Sequence, residues 1–259
     1  MINTITIKGI TIGEGTPKIC VPLVGRTEEE ILAQADDILN EAGKSNIKVV
    51  EFRGDYYNNL NDFSALGNLL KKLNDRFENI ILLFTIRSQK EGGEELAFST
   101  PSISDINTFV IENHLADMVD VELFSDYDTV SILQKAKEHG IKVIMSSHDF
   151  KTTPPKEEII DRLKKMQEMG ADIAKIAVMP ENKLQVADLI VATCMMKKQY
   201  ATVPIVTISM GSLGAISRIC GEVFGSHMTF ATVGKASAPG QIPASELNNI
   251  MSDIKKYCE

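Results

Sequence analysis

Lys175 stands inside the run Ile173-Ala174-Lys175-Ile176-Ala177-Val178, where every neighbour is apolar. Lysine is almost never fully buried without a partner or a task. Read as a strand, the run puts Ile173, Lys175 and Ala177 on one face. A free lysine amine, with a pKa of about 10.4, is protonated and non-nucleophilic at neutral pH. Desolvation and nearby cations both lower that value. An amine so tuned attacks a ketone and forms an imine. The protonated imine withdraws electrons, so a proton on the adjoining carbon becomes easier to remove. A base must then stand close by, and histidine suits because its unperturbed pKa is about 6.5. The plainer reading of Lys175 is a side chain that snorkels to solvent or pairs with a core carboxylate.

Three other runs share this phase. Val49, Glu51 and Arg53 fall on one face of the second strand candidate, which continues to Asp55. Leu83, Thr85 and Arg87 share a face in the third, and Ile144, Ser146 and His148 in the fifth. Each begins apolar and turns polar toward its C-terminal end, the end at which barrel enzymes keep their active sites. Four strands therefore deliver Glu51, Arg53, Arg87, His148 and Lys175 toward one mouth. Arg53 or Arg87 supplies the cation beside Lys175 on this reading. Taken singly, Arg53 also reads as a solvated rim charge and His148 as a structural histidine.

The elements that must position these residues alternate in type. Strand candidates are Lys18–Leu23, Lys48–Phe52, Ile80–Ile86, Met118–Glu122, Lys142–Ser147, Ile173–Val178, Pro204–Ser209 and Met228–Val233. Helical patterns lie between and after them, at Glu28–Glu41, Phe63–Arg76, Ser104–Asn113, Thr129–His139, Lys156–Met169, Asn182–Lys198, Gly214–Gly221 and Ala244–Tyr257. This alternation implies βαβ units and a parallel sheet. Eight repeats without a Gly-rich phosphate turn after the first strand favour a closed (β/α)8 TIM barrel over an open sheet. Gly140 and Gly170 stand where helices should stop. Thr4–Ile7 and Ile10–Ile12, around Lys8-Gly9, read as a short hairpin closing the bottom. No linker or shift in composition divides residues 1–259, so one catalytic domain is expected.

With 259 residues, 44% hydrophobic and 24% charged, the composition is that of an ordinary globular protein. A net charge of −8 argues against nonspecific binding to nucleic acid or anionic membrane. It permits an anionic small substrate held by local arginines. Cys20, Cys194, Cys220 and Cys258 are far apart and read as reduced thiols. The N-terminal residues show no leader pattern and no apolar run is long enough to span a bilayer, so a cytoplasmic protein is expected. His114, His139, His148 and His227 lack metal-ligand spacing, so no metal and no cofactor are expected.

Several separated motifs, in order, resemble type I 3-dehydroquinate dehydratase. They are Phe84-Thr85-Ile86-Arg87-Ser88-Gln89-Lys90-Glu91-Gly92-Gly93, Ser147-His148-Asp149-Phe150, Met169-Gly170-Ala171-Asp172 with Lys175, Ile216-Ser217-Arg218 with Gly221-Glu222-Val223-Phe224-Gly225, and Ala236-Ser237-Ala238-Pro239-Gly240-Gln241. The resemblance runs from about Ile12 into the last helix. It implies dehydration of 3-dehydroquinate to 3-dehydroshikimate in the shikimate pathway of aromatic amino-acid biosynthesis, by syn elimination from a Schiff base on Lys175. His148 would be the general base and then the general acid, and Glu91 would orient it and favour its charged form. Glu51, Arg53 and Arg87 would hold ring hydroxyls. Arg218 would take the substrate carboxylate, Ser237 and Gln241 would belong to a loop that closes over the substrate, and Met210 would line the wall. A homodimer is implied as well. Without the resemblance, Arg218 reads as a helix-surface arginine and Glu91 as part of a solvated charge run.

Two positions depart from the family pattern. Pro22 replaces a serine at the end of the first strand, and Gly211-Ser212-Leu213 stands where Ala-Lys-Thr is common. One rival function is a class I aldolase type of Schiff-base barrel. It should show a phosphate nest after the seventh or eighth strand, for which Gly211-Ser212-Leu213-Gly214 is the candidate. The other is a catalytically silent barrel acting as a binding protein.

Overall fold

The computed structural model describes residues 2–96, 100–234 and 238–258. A hairpin of β1 (Ile5–Ile7) and β2 (Ile10–Ile12) comes first. Lys8 and Gly9 form its turn, both with positive φ, the conformation a two-residue hairpin turn requires. The parallel strands follow: β3 (Lys18–Leu23), β4 (Ile47–Arg53), β5 (Ile81–Thr85), β6 (Met118–Glu122), β7 (Lys142–Asp149), β8 (Ile173–Val178), β9 (Ile205–Ser209) and β10 (Met228–Thr232). A two-residue β11 (Ile242–Pro243), which the sequence pattern does not signal, pairs with β10. The sheet order is β11-β10-β3-β4-β5-β6-β7-β8-β9.

Helices cover the outside: α1 (Glu28–Ser45), α2 (Phe63–Arg76), α3 (Ile103–Glu112), α4 (Thr129–His139), α5 (Lys156–Glu168), α6 (Lys183–Met195), α7 (Ala215–Ile219), α8 (Gly221–Phe224) and α9 (Ala244–Cys258). Local chemistry sets their ends. The Asp62 side chain caps α2 by accepting the N–H groups of Ser64 and Ala65, and Ser102 and Asp105 form a reciprocal capping box on α3. Gly140, at φ 72°, ends α4 in the left-handed conformation.

Two expected helices differ from the pattern. Asn182–Lys198 is α6 followed by a wider π turn over Met196–Tyr200, in which Ala201 N–H reaches Met196 O at 2.7 Å. The expected helix Gly214–Gly221 is replaced by α7 and, after a break at Cys220, by α8, which runs on to Phe224. Gly221 sits so close to Ser226 that a Cβ there would come within 2.9 Å of its carbonyl oxygen. The chain must turn sharply here to enter β10.

Alternation along the strands sorts two cores. Val50, Phe52, Leu82, Phe84, Val119, Val121 and Ile176 point outward into the layer under the helices. Cys20, Val49, Leu83, Met118, Ile144, Ile173 and Val206 fill the barrel interior, joined by Ile5 and Ile12 of the hairpin. The hairpin therefore plugs the bottom. Its Lys8 Nζ donates to Phe77 O at 3.0 Å and Ile80 O at 3.2 Å and pairs with Asp117 at 2.7 Å.

His227 closes the seam between β9 and β10. Its N–H donates to Ile205 O at 2.8 Å, and Ile205 N–H donates to its Nδ1 at 3.1 Å. On the other side His227 O accepts Lys18 N–H of β3 at 3.0 Å. Burial pushes the imidazole pKa down to about 4. Between about pH 6.5 and pH 4 the unfolded chain binds a proton that the folded chain refuses, so stability falls as pH falls through that window. His227→Asn keeps an acceptor in place without the titration. Urea unfolding at about pH 7 and about pH 4.5 should show the wild type losing more stability than the variant, by up to roughly 3 kcal/mol. Equal losses would remove His227 from this role.

Candidate active site

Lys175, on β8, lies at the C-terminal mouth with 4% of its surface exposed. Strand register sets its neighbours: Ser146 of β7 pairs with Lys175, and His148 with Ala177 one inward step further up. A pocket of about 530 Å³ opens above them. Glu51, Arg53, Arg87, Glu91, His148, Lys175, Met210, Arg218 and Gln241 all line it, as do Phe150, Ala238 and Phe230. Ser237 lies outside the described residues.

The surroundings of Lys175 correct one expectation. The charges directly facing its Nζ are carboxylates, not arginines. Glu51 Oε1 lies at 3.7 Å and Asp120 Oδ2 at 3.6 Å, and the Phe230 ring sits below with its centroid 4.3 Å away. Each arginine is turned to its own acid. Arg53 makes a two-pronged bond to Asp55, at 2.8 and 2.7 Å. Burial opposes its charge, but Asp55 and Glu51 outweigh burial and hold the pKa above the ordinary value.

Arg87 is the hub. Its Nη1 donates to Glu122 Oε1 and Ser146 Oγ, each at 2.9 Å, and lies 3.7 Å from Glu91. Its Nη2 lies 2.8 Å from Asp120 Oδ1. Burial opposes this charge too, and Asp120, Glu122 and Glu91 more than reverse the effect. Arg87 lines the pocket, so its contact with a ligand would add to bonds already made. Asp120 and Glu122 were missed in the sequence, although β6 carries them two apart on the inward face, the same signal that marks the other strands.

Glu91 reaches His148 from a 3-10 turn, Gln89–Glu91, that ends at Gly92 with φ 85°. A Cβ at Gly92 would lie 2.3 Å from the Phe150 ring, so only glycine lets the turn pack there. Glu91 Oε2 accepts the His148 N–H at 3.0 Å and meets His148 Nδ1 at 2.9 Å. With Nδ1 so engaged, Nε2 is the other working nitrogen of the ring. Burial, then Glu122, raises the Glu91 pKa to about 8 against the pull of Arg87. Burial, then Arg87 and Lys175, pushes His148 well below its ordinary value. These surroundings favour a neutral imidazole, against the charged form that the resemblance implies. A neutral ring is the form able to take a proton.

Arg218 is the second surprise. It is 2% exposed, folded back under α7 and not on a helix surface. Nη1 donates to Phe230 O at 3.2 Å and Nη2 to Pro239 O at 3.1 Å, while Nε has no hydrogen-bond partner. No carboxylate among the described residues pairs with it. Burial lowers its pKa to about 10. An uncompensated buried guanidinium lining a pocket suits an anionic ligand.

The Pro239 carbonyl also accepts Gly211 N–H at 3.1 Å. A Cβ at Gly240 would lie 2.3 Å from Gly211 O. These close approaches require glycine at 240, where the loop after β10 rests directly on the turn after β9, while Gly211 answers to its own φ of 69°, a left-handed conformation. They also spend the proposed anion nest, since Gly214 N–H goes to Gly211 O at 3.2 Å. Pro22 shares the inward phase of Cys20 and pairs with Glu51, but does not line the pocket. Among the described residues no His, Cys, Asp and Glu cluster could hold a metal ion, and no helix is long and apolar enough to cross a membrane.

Fold and site together define a (β/α)8-barrel enzyme whose mouth gathers a buried amine and an imidazole held by the carboxyl group of Glu91. The family model described as type I 3-dehydroquinase matches residues 19–257, and the chain belongs to that family of lyases. A 3-dehydroquinate dehydratase of Bacillus licheniformis is 45% identical over 252 residues, covering 97% of both chains. One of Clostridioides difficile is 42% identical over 257 residues, covering 99% of both. The crystal structure of a type I enzyme from Clostridium difficile, with covalently modified comenic acid, superposes with a TM-score of 0.93 at 42% identity, over 99% of this chain and 100% of that one. A Geobacillus kaustophilus 3-dehydroquinate dehydratase gives 0.94 at 31% identity, over 99% and 98%.

The raised Glu91 pKa has a consequence for stability. The unfolded carboxyl loses its proton at about 4.5, whereas the folded one keeps it to about 8. The folded state binds the extra proton across that window, so stability falls as pH rises through it. Glu91→Gln should therefore melt higher than the wild type at about pH 8.5, by several degrees, and with a smaller gain at about pH 5. A variant that melts lower at the higher pH would contradict this.

Proposed function

We propose that this chain dehydrates 3-dehydroquinate to 3-dehydroshikimate through a Schiff base on Lys175. The observation that carries this reading is a single pocket that brings together Lys175, the Glu91-oriented His148 and the acid-free Arg218. Arg218 would pair with the substrate carboxylate, which places the ring over the mouth. Glu51, Arg53 and Arg87 would meet the ring hydroxyls, with Met210 at the wall and Ser237 and Gln241 on the covering loop. The Lys175 amine would attack the C3 ketone, and water would leave as the imine forms. His148 would take the C2 proton, the electron pair moving onto the iminium nitrogen to give an enamine. The enamine would expel the C1 hydroxyl as water, with His148 returning the proton for a syn elimination. Water would then hydrolyse the product imine and free Lys175.

Kinship to enzymes of that name supports the substrate, and the covalently modified ligand of the Clostridium difficile relative supports covalent chemistry at such a site. A phosphate-binding aldolase fits less well, because Gly211 and Gly214 give their N–H groups to protein carbonyls. The resemblance further supports one catalytic domain, a cytoplasmic homodimer and service in the shikimate pathway.

Borohydride added with 3-dehydroquinate should inactivate the protein and place the reduced adduct on Lys175 by peptide mass spectrometry. An adduct elsewhere, or turnover with none, would refute the Schiff base. Lys175→Ala should form no adduct, while His148→Ala should form it slowly and stall before elimination. Arg218→Ala should raise KM for 3-dehydroquinate by about 30-fold or more, the scale of losing one partner of a buried charge pair. An unchanged KM would leave the carboxylate to another group.

A further inference from the structure

Asp120 has no part in the reading above, yet its position is specific. It sits on β6, 1% exposed, below the pocket and not among its lining residues. Its Oδ1 is fixed, accepting Ser146 Oγ–H at 2.6 Å and lying 2.8 Å from Arg87 Nη2. Its Oδ2 accepts no hydrogen bond and faces Lys175 Nζ at 3.6 Å. A buried carboxylate oxygen without a hydrogen bond is costly. Here the lysine nitrogen is the positive charge set against it.

The nitrogen carries that charge at the start and at the end of the first stage of the reaction, giving up a proton while the free amine attacks the ketone. An ammonium and a ketone give a protonated imine and water: one C=N bond forms, the carbonyl oxygen departs as water with two of the nitrogen's protons, and the net charge of +1 is unchanged. A fixed anion beside the nitrogen therefore suits the resting ammonium and the iminium alike, and it opposes loss of the last proton to give a neutral imine. The neutral imine is a poor electron sink. Glu51 is less able to play this part, because it lines the pocket and its Oε1 already accepts Thr85 Oγ1–H at 3.1 Å.

We propose that Asp120 is a positioning residue that acts as the fixed counter-ion of the Lys175 nitrogen and keeps its imine protonated. The proposal rests on the Schiff-base reading above. The groups around that nitrogen are Glu51 on β4, Asp120 on β6, His148 on β7 and Cys20 on β3, with Phe230 of β10 the apolar member, while Arg87 stands behind Asp120 on its far oxygen. Of the two carboxylates, only Asp120 is locked by Arg87 and Ser146 away from any ligand.

Asp120→Asn is nearly isosteric and removes the charge. We expect the alkaline limb of kcat to move to lower pH by about one unit or more. The rate of borohydride trapping at Lys175 should fall off at the same lower pH, since borohydride reduces the iminium cation. Asp120→Glu should return both limbs toward the wild-type position. A structural role alone would lower kcat or the yield of folded protein and leave both limbs where they were. That result overturns the proposal, whereas failure of the wild type to form any Lys175 adduct overturns the Schiff-base reading instead. Should Asp120→Asn not fold, the wild-type adduct labelled with 15N at the lysine side chain still decides. Its nitrogen should report a protonated imine by NMR from about pH 6 to about pH 9. A neutral imine appearing within that range would overturn the proposal.

Discussion

The guanidinium of Arg87 holds the mouth of this barrel together. It touches Asp120, Glu122 and Ser146 directly and comes within 3.7 Å of Glu91. Through Asp120 it reaches Lys175, and through Glu91 it reaches His148. Charges this deeply buried are expensive to desolvate, and well-packed apolar residues in their place are often at least as stabilising. Their retention is best understood through what they position. The amine and the imidazole stand on different strands, and the interlocked charges between them fix both side chains before any ligand arrives.

Arg218 is kept apart from this network. Backbone carbonyls satisfy two of its nitrogens, and neither neutralises it. Carbonyl dipoles hold a cation in place yet leave its full charge for an incoming anion. The mouth thus contains one region in which cations and carboxylates are matched and one in which a cation is left over. Such an asymmetry would orient the anionic ring of the proposed substrate without a large net field, on a chain whose overall charge is −8.

The strands were legible because each has two outward and inward phases and the inward one turns polar at a single end. That phase picked out Glu51, Arg53, Arg87, His148 and Lys175 for one mouth. It applied equally to Asp120 and Glu122, whose short run Met118–Glu122 was read only as a strand. What one strand cannot reveal is its partner's register, so the carboxylates beside Lys175 were out of reach and arginines were expected there. Arg218 and Glu91 depend on short turns with no period long enough to read. Gly240 becomes intelligible only from packing, because its reason is the backbone of Gly211 from another loop, and Gly211 only from its left-handed backbone.

The hairpin at the bottom carries a consequence for traffic. Ile5 and Ile12 complete an apolar plug beneath Cys20, Ile144 and Ile173, and Lys8 bolts it to the loops around it. The barrel is a cup and not a tunnel. Whatever reaches Lys175 comes in through the C-terminal mouth, lined by Arg53, Phe150 and Arg218, and goes out the same way. In the proposed reaction two molecules of water are released and one is consumed for each ring converted. All three share one doorway with the substrate in that reaction, so hydration of the site and binding would be governed at the same place.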